Sequence, residues 1–301
     1  RRGSMRDGIL VLNKPQNWTS SDCVAICRRV LGVKGVKKVG HGGTLDPMAT
    51  GVLPIFVGQA TRIMEYMDLD YKTYICAARL GITTDTLDIW GEITGERDDR
   101  FVTEEALCEA LGSFEGSIEQ IPPRYSAVRI NGKRLYEYAH KGQEIDFEIK
   151  PRRAFVKRLS VLDVDIENGQ FAFEIECSKG TYIRTICADL GEKLGCGCIM
   201  TALERVAVGN ISIDQAMVTA DQVKEMDAES LEKLLIPSDY PLTRLGSVTI
   251  NSDRAAYFSR GNSIRWSQVN VCGRPDADAL LESGRAAGTG QMPQNARGRG
   301  Y

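Results

Sequence analysis

The sequence predicts an α+β fold, a mixed and largely antiparallel sheet flanked by helices. Three observations carry that expectation. Val156 to Glu167, the turn dipeptide Asn168-Gly169, and Gln170 to Cys177 form a long hairpin whose second arm puts Phe171, Phe173 and Ile175 on one face. Helical stretches fall irregularly among such strands, not one for one as a parallel α/β sheet requires. The 301 residues, 43% hydrophobic and 26% charged, suffice for one large domain or two modest ones with a real core.

The elements follow in order. Ile9 to Leu12 is a short apolar run that reads as a strand. Thr19-Ser20-Ser21-Asp22 offers N-caps to a helix whose apolar face is Val24, Cys27, Val30 and Leu31, ended by Gly32. Residues 40–47 read as a loop and Val52 to Val57 as a buried strand. Ala60 to Met67 reads as a helix and Tyr71 to Leu80 as extended. Thr103 caps a helix to about Leu111, and Asn131-Gly132 marks a second hairpin turn. Thr181 to Leu194 reads as a helix closed by Gly195. Two short helices fill about Thr219 to Leu235. Pro237 to Pro241 reads as a linker, followed by a strand near Val248–Ile250 and a helix from Ser252 to Arg260. The segment 273–301 holds six Gly and four Arg and has the composition of a disordered tail. Arg1-Arg2-Gly3-Ser4 before Met5 reads as an expression scar.

Net charge is −2, from 38 Lys and Arg against 40 Asp and Glu, which taken whole argues against a nucleic-acid partner. The segments say otherwise. Residues 1–64 are net +7 and 120–160 net +6, while 65–119 are net −10. Nine cysteines, an odd number irregularly spaced, argue against a disulfide framework and for a reducing, cytoplasmic setting. Cys196-Gly-Cys198 has no second pair beside it and only His41 and His140 are present, so no metal is expected. No uncharged stretch approaches the roughly 20 residues of a membrane span.

The segment GHGGTLDPMATGVLPIFVGQATR, residues 40–62, carries the chemistry. Its glycines let backbone pass close to a ligand, and Pro47 holds Asp46 out of helical conformation, which sets a carboxylate on a stiff frame. Read from the residues alone, a Gly-rich turn with an Asx hydrogen bond is the blander reading.

This segment resembles the catalytic segment of the tRNA pseudouridine-55 synthases, the TruB family. Further motifs agree in the family's order: Asn13-Lys14-Pro15 with Thr19-Ser20; Lys72-Thr73-Tyr74 with Leu80-Gly81; Thr84-Asp85-Thr86-Leu87-Asp88 with Gly91. Pro122-Pro123 with Tyr125-Ser126-Ala127, Gly132, Arg134, Tyr136 and Glu137 resembles the family's RNA-gripping insertion, here about 120–152. Ser178-Lys179-Gly180-Thr181-Tyr182-Ile183-Arg184 with Asp189-Leu190-Gly191, then Leu203 and Arg205, completes the series over about residues 8–260.

The resemblance implies a pseudouridine synthase fold, with a catalytic domain at 5–240 and a partial PUA-like region at 241–272. It implies isomerisation of uridine 55 in the T loop of tRNA, by a cytoplasmic monomer without cofactor, metal or membrane. Asp46 becomes the nucleophile on a flipped-out uridine, attacking C1′ or C6; Arg184 its ion-pair partner; Tyr74 the ring that stacks on the base and helps move a proton. His41, Gly43, Thr44, Asp88, Tyr182, Leu203, Lys14, Arg129 and Arg134 become substrate- or RNA-binding residues. The two basic blocks become phosphate contacts, including Arg28, Arg29, Lys34, Lys37 and Lys38 in the first and Arg124, Lys133, Lys141, Lys150, Arg152, Arg153, Lys157 and Arg158 in the second. Asn17 stands where the family has Gly, Arg129 where it has Lys, and His140 where it has Arg. A catalytically dispensable tRNA-folding protein and a guide-RNA-dependent synthase are the alternative functions.

Overall fold

The structure, a computed structural model, describes residues 6–33, 38–69, 71–126, 128–130, 132–140, 149–243, 247–265 and 270–272. Residues 1–4, Lys34, Lys37, Ala127, Asn131, Lys141 and 273–301 lie outside these, as do the side chains of Arg134, Tyr136 and His140. The chain divides into two compact units, Arg1–Ser238 and Asp239–Tyr301.

The first unit opens with β1 (Gly8–Lys14) and α1 (Ser20–Val30). Thr19 starts α1 through a capping box: its hydroxyl accepts from the Asp22 N–H, and the Asp22 carboxylate accepts from the Thr19 N–H. β2 (Val39–His41) and β3 (Thr50–Val57) follow. The expected loop is therefore shorter at its start, because Val39 and His41 pair with Val57 and Ile55. The stretch read as a helix from Ala60 is a 3₁₀ helix, Gly58–Leu69, in which buried Ala60 and Ile63 stack three residues apart.

Next come β4 (Lys72–Leu80), β5 (Ile82–Thr84), β6 (Ile93–Glu96), α2 (Glu104–Gly112, capped by Thr103) and β7 (Gly116–Gln120). The insertion holds β8 (Arg129–Ile130), β9 (Lys133–Arg134) and α3 (Leu135–His140). The long hairpin is β10 (Arg152–Asp165) and β11 (Gln170–Cys177), turned at Gly169 with φ 63°. α4 (Ile183–Leu194) ends at Gly195, φ 83°, as its sequence predicts. β12 (Cys198–Val208), β13 (Ile211–Ser212), β14 (Val218–Thr219), α5 (Ala220–Lys224) and α6 (Ala228–Lys233) complete the unit.

Among the described residues the main sheet runs β14-β1-β3-β12-β4-β11-β10-β7, with β2 beside β3 and β13 beside β12. Two pairings, β1 with β14 and β3 with β12, are parallel; the others are antiparallel. One hydrophobic core joins β4, β11 and β12 to α2 and α4, with Phe173, Leu107 and Leu190 fully buried. A second joins β1 and β3 to α1, α5 and α6 around Leu12, Leu53 and Cys27. β3, which belongs to the second core, and β12, which belongs to the first, pair in the sheet at Gly51 and Arg205, and the candidate site stands by that pairing.

The second unit contains β15 (Ser247–Thr249), α7 (Ser252–Ser259) and β16 (Asn270–Cys272); β15 and β16 pair antiparallel. Asn251 caps α7, its side chain accepting from the Arg254 N–H.

Candidate active site

Asp46 stands on the loop between β2 and β3, and the sequence ties that loop down on several sides. The Ser20 hydroxyl on α1 donates to the Leu45 carbonyl at 3.1 Å and accepts from its N–H at 2.9 Å. The Asn17 N–H donates to the Pro47 carbonyl at 2.9 Å. Asn17 has φ 67°, so the family's glycine position keeps its left-handed turn through the residue that best tolerates it. Lys14, fully buried, donates from Nζ to the carbonyls of Pro47 (3.0 Å), Pro15 (2.9 Å) and Trp18 (2.7 Å). Burial pulls its pKa down to about 8.

Lys14 is therefore a correction to the sequence reading. Its three protons are all donated to backbone oxygens, so it holds the loop and does not meet phosphate.

The Arg184 guanidinium, on the first turn of α4, meets Asp46 at 2.9 Å between Nη2 and Oδ2. Only 6% of the Arg184 side chain is exposed, against 48% of Asp46. Arg184 also donates to the Thr86 carbonyl (Nη1, 3.1 Å) and the Tyr125 carbonyl (Nη2, 2.9 Å), and Asp88 Oδ2 lies 3.8 Å from Nη1. The cation is thus fixed by neutral oxygens and flanked by two carboxylates, one open to solvent and one sunk. Asp88 is held in turn by the Thr86 hydroxyl at 2.6 Å and the Trp90 N–H at 3.1 Å. The Asp46 carboxylate is thereby held and oriented at the mouth of the site.

Tyr74 on β4 is 9% exposed. Burial pushes its phenol pKa up, and the nearby Arg205 charge draws it partly back. Arg205 on β12 pairs in register with Tyr74 on one side and with Gly51 on the other. It is fully buried and donates to the Val52 carbonyl (Nε, 2.8 Å) and the Gly43 carbonyl (Nη2, 3.0 Å). A β-carbon at Gly51 would collide with the Arg205 backbone carbonyl, so glycine lets the loop close against β12. The motif series contained Arg205 but gave it no role; its burial between two strands is not visible in one dimension.

His41 is on β2 and its pKa is lowered, first by burial and then by Arg205. Gly43 has φ 95°, a conformation glycine takes without strain, and Thr44 beside it is exposed. Tyr182 caps α4, exchanging two backbone hydrogen bonds with the Gln120 side chain. Leu203 packs partly buried on the first core, beside Cys76 in register. Below Tyr74 and Arg184 lies a thiol group: the Cys76 and Cys187 sulfurs are 3.7 Å apart and Cys198 adjoins Cys187. The eight cysteines from Cys23 to Cys198 are free thiols.

The insertion's cations divide. Arg124, Arg129, Lys133, Lys150 and Arg152 are exposed, and Lys133 lies 5.8 Å from the centre of the Tyr138 ring. Arg153, Lys157 and Arg158 instead face Glu119 (3.6 Å), Glu176 (2.7 Å) and Glu174 (2.6 Å). Part of the net +6 block is thus neutralised across the sheet. Among the described residues no cluster of three or more His, Cys, Asp or Glu is arranged to hold a metal ion, and no helix is long and apolar enough to cross a membrane.

Asp46, Arg184 and Tyr74 thus stand together on this sheet, and comparison with known proteins makes the chain a pseudouridylate synthase by fold and family. Solved structures of a Cbf5-Nop10-Gar1 complex and of an archaeal box H/ACA Nop10-Cbf5 complex share the fold, with TM-scores of 0.65 and 0.64. The first is 26% identical and covers 88% of this chain and 70% of its own; the second is 23% identical, covering 89% and 71%. Residues 28–183 match the N-terminal domain model of TruB family pseudouridylate synthases, and residues 184–243 the tRNA pseudouridylate synthase B C-terminal domain model. Proteins named tRNA pseudouridine synthase B from Escherichia coli and Shigella flexneri are 39% identical over 307 residues, 99% of this chain and 95% of theirs. The chain belongs to the TruB family.

Proposed function

We propose that the chain isomerises uridine 55 in the T loop of tRNA to pseudouridine, acting alone as a monomer, with Asp46 as nucleophile. The Asp46–Arg184 ion pair at 2.9 Å is the observation that carries this reading. A paired carboxylate half open to solvent meets a uridine only after the base leaves its stack, so the target is flipped into the site. Asp46 attacks C1′ and displaces N1, or adds to C6 so that the C1′–N1 bond breaks, and the base turns while held. C5 then bonds to C1′, the bond to Asp46 breaks and returns the carboxylate, the C5 proton leaves through Tyr74 to solvent, and N1 takes up a proton. The logic parallels a retaining glycosidase, except that the leaving group stays and returns.

Arg184 holds and aims Asp46, and Asp88 steadies Arg184 from the other side. His41, Gly43 and Thr44 line the approach to the flipped nucleotide, with Tyr182 and Leu203 on the facing walls. Exposed Arg129 contacts phosphate together with its neighbours Arg124 and Lys133, and Arg134 belongs to the same hairpin. The relatives' names, tRNA pseudouridine synthase B, support tRNA as substrate.

The test is release of tritium from tRNA labelled at uridine C5, with the purified protein alone. Release confined to position 55 and lost in Asp46→Ala is expected. No release by the intact protein, or release only when a guide RNA is added, overturns the reading.

A further inference from the structure

Arg205 is a buried cation with no ion pair among the described residues. Two of its donors are used on neutral carbonyls, and the third nitrogen, Nη1, is buried without a hydrogen-bond partner. Burying a guanidinium this way is costly, and an idle buried donor adds to the cost. The two bonds that do form hold backbone on both sides of Asp46, at Gly43 just past β2 and at Val52 within β3. The Nη1 corner is buried beside Gly43 and the Lys72 side chain: a β-carbon built on Gly43 would lie 3.1 Å from Lys72 Nζ and 3.4 Å from Nη1, and Tyr74 is the cross-strand neighbour of Arg205. Neither Arg184 nor Lys14 touches both the loop and the tyrosine's strand in this way.

We propose that Arg205 is a positioning residue of the isomerisation, clamping the backbone on both sides of Asp46 and, through its open Nη1 corner, setting the Tyr74 hydroxyl for removal of the C5 proton. The inference rests on the reading of Tyr74 given above. Electrostatics agrees with the geometry. Arg205 from β12, Cys177 from β11 and Asp46 from the loop all act electrostatically on Tyr74, and Arg205 alone among these three draws the phenol's pKa down.

The test uses the full chain with Arg205→Lys and Arg205→Gln, each also combined with Tyr74→Phe. Single-turnover tritium release is expected to slow by about a hundredfold in Arg205→Gln, the lower end of what a positioned proton-transfer group contributes, and by less in Arg205→Lys. Affinity for tRNA should stay within about threefold, and in the Tyr74→Phe background Arg205→Gln should slow release by distinctly less than in the parent, the remainder being the part owed to the loop clamp alone. Without RNA, tyrosinate absorbance differences between each protein and its Tyr74→Phe partner should show Tyr74 ionising at higher pH in Arg205→Gln than in the parent. Equal slowing in both backgrounds with an unmoved Tyr74 titration overturns the proposal, as does loss of the cooperative melt in both Arg205 variants, which would make the residue structural only. Because the titration needs no substrate, it stands even if the parent protein releases no tritium, an outcome that would count against the proposed function instead.

Discussion

Two sets of cations occupy this molecule, and they work in opposite ways. Lys14, Arg184 and Arg205 lie buried beneath the Asp46 loop, and the hydrogen bonds they make go to backbone carbonyls and to the Asp46 carboxylate. Arg124, Arg129 and Lys133 lie on the insertion's surface. In sequence Lys14 and the exposed three are alike basic residues of the two basic blocks, whereas Arg184 and Arg205 lie in an acidic stretch, 161–210 at net −4. Buried, a cation acts on the protein's own oxygens in a low-dielectric setting that salt does not screen. Exposed, it acts on a polyanion by releasing counterions, and salt governs it. The first set builds the site and the second recruits its substrate.

The sharpest test of that division is Asp46→Ala, which should reduce single-turnover tritium release by more than about a thousandfold while tRNA affinity holds, since a nucleophile acting as a unit with its partner leaves little behind. Arg184→Lys should fall short of that loss but follow the same pattern, because an ammonium cannot hold the carboxylate and the two carbonyls together. Lys14→Met should destabilise the fold by about 3 kcal/mol, measured by urea unfolding, with the salt dependence of tRNA binding unchanged. A normal unfolding midpoint with a reduced salt slope would instead put Lys14 among the RNA contacts and break the distinction. Replacing Arg124, Arg129 and Lys133 together by Gln should weaken tRNA binding and lower the slope of log Kd against log salt by about 2, at roughly 0.7–0.9 per phosphate contact. Tritium release at saturating tRNA should be unaltered.

The smallest effect is a pH dependence. Lys14 has a pKa near 8 when folded and about 10.5 when unfolded, so between those values the unfolded chain holds a proton that the folded chain has given up. Its contribution to stability therefore rises with pH across that window and is least favourable below pH 8. Unfolding of the parent relative to Lys14→Met, followed from pH 7 to about 10, should show that rise.

What the sequence made legible was local. The Thr19 cap and the Gly195 stop are decided within a few residues and formed as read; Asn17 takes its left-handed turn locally, and Gly169 ends the hairpin turn, which starts two residues early because Ile166–Asn168 wind into a 3₁₀ turn after Asp165. Motif order brought Asp46, Tyr74 and Arg184 into one site although they are 28 and 110 residues apart. Burial was not legible. Lys14 looked like a phosphate contact because a lone lysine before a glycine-rich segment gives no sign that three carbonyls surround it. Lys157 and Arg158 looked free because their partners, Glu176 and Glu174, come from the other arm of a hairpin whose register only the fold sets. Arg205 was passed over because its meaning lies in being flanked by Gly51 and Tyr74 on two different strands.

The thiol group beneath Tyr74 and Arg184 has a practical consequence. Cys76 and Cys198 are closed off from solvent, and burial holds both thiols in the protonated, unreactive form. A thiol reagent reaches them only when β4 and α4 separate. Their labelling rate is thus a native clock for opening of the site's floor, one that runs without any introduced probe and that bound tRNA should slow if the RNA closes the same elements together.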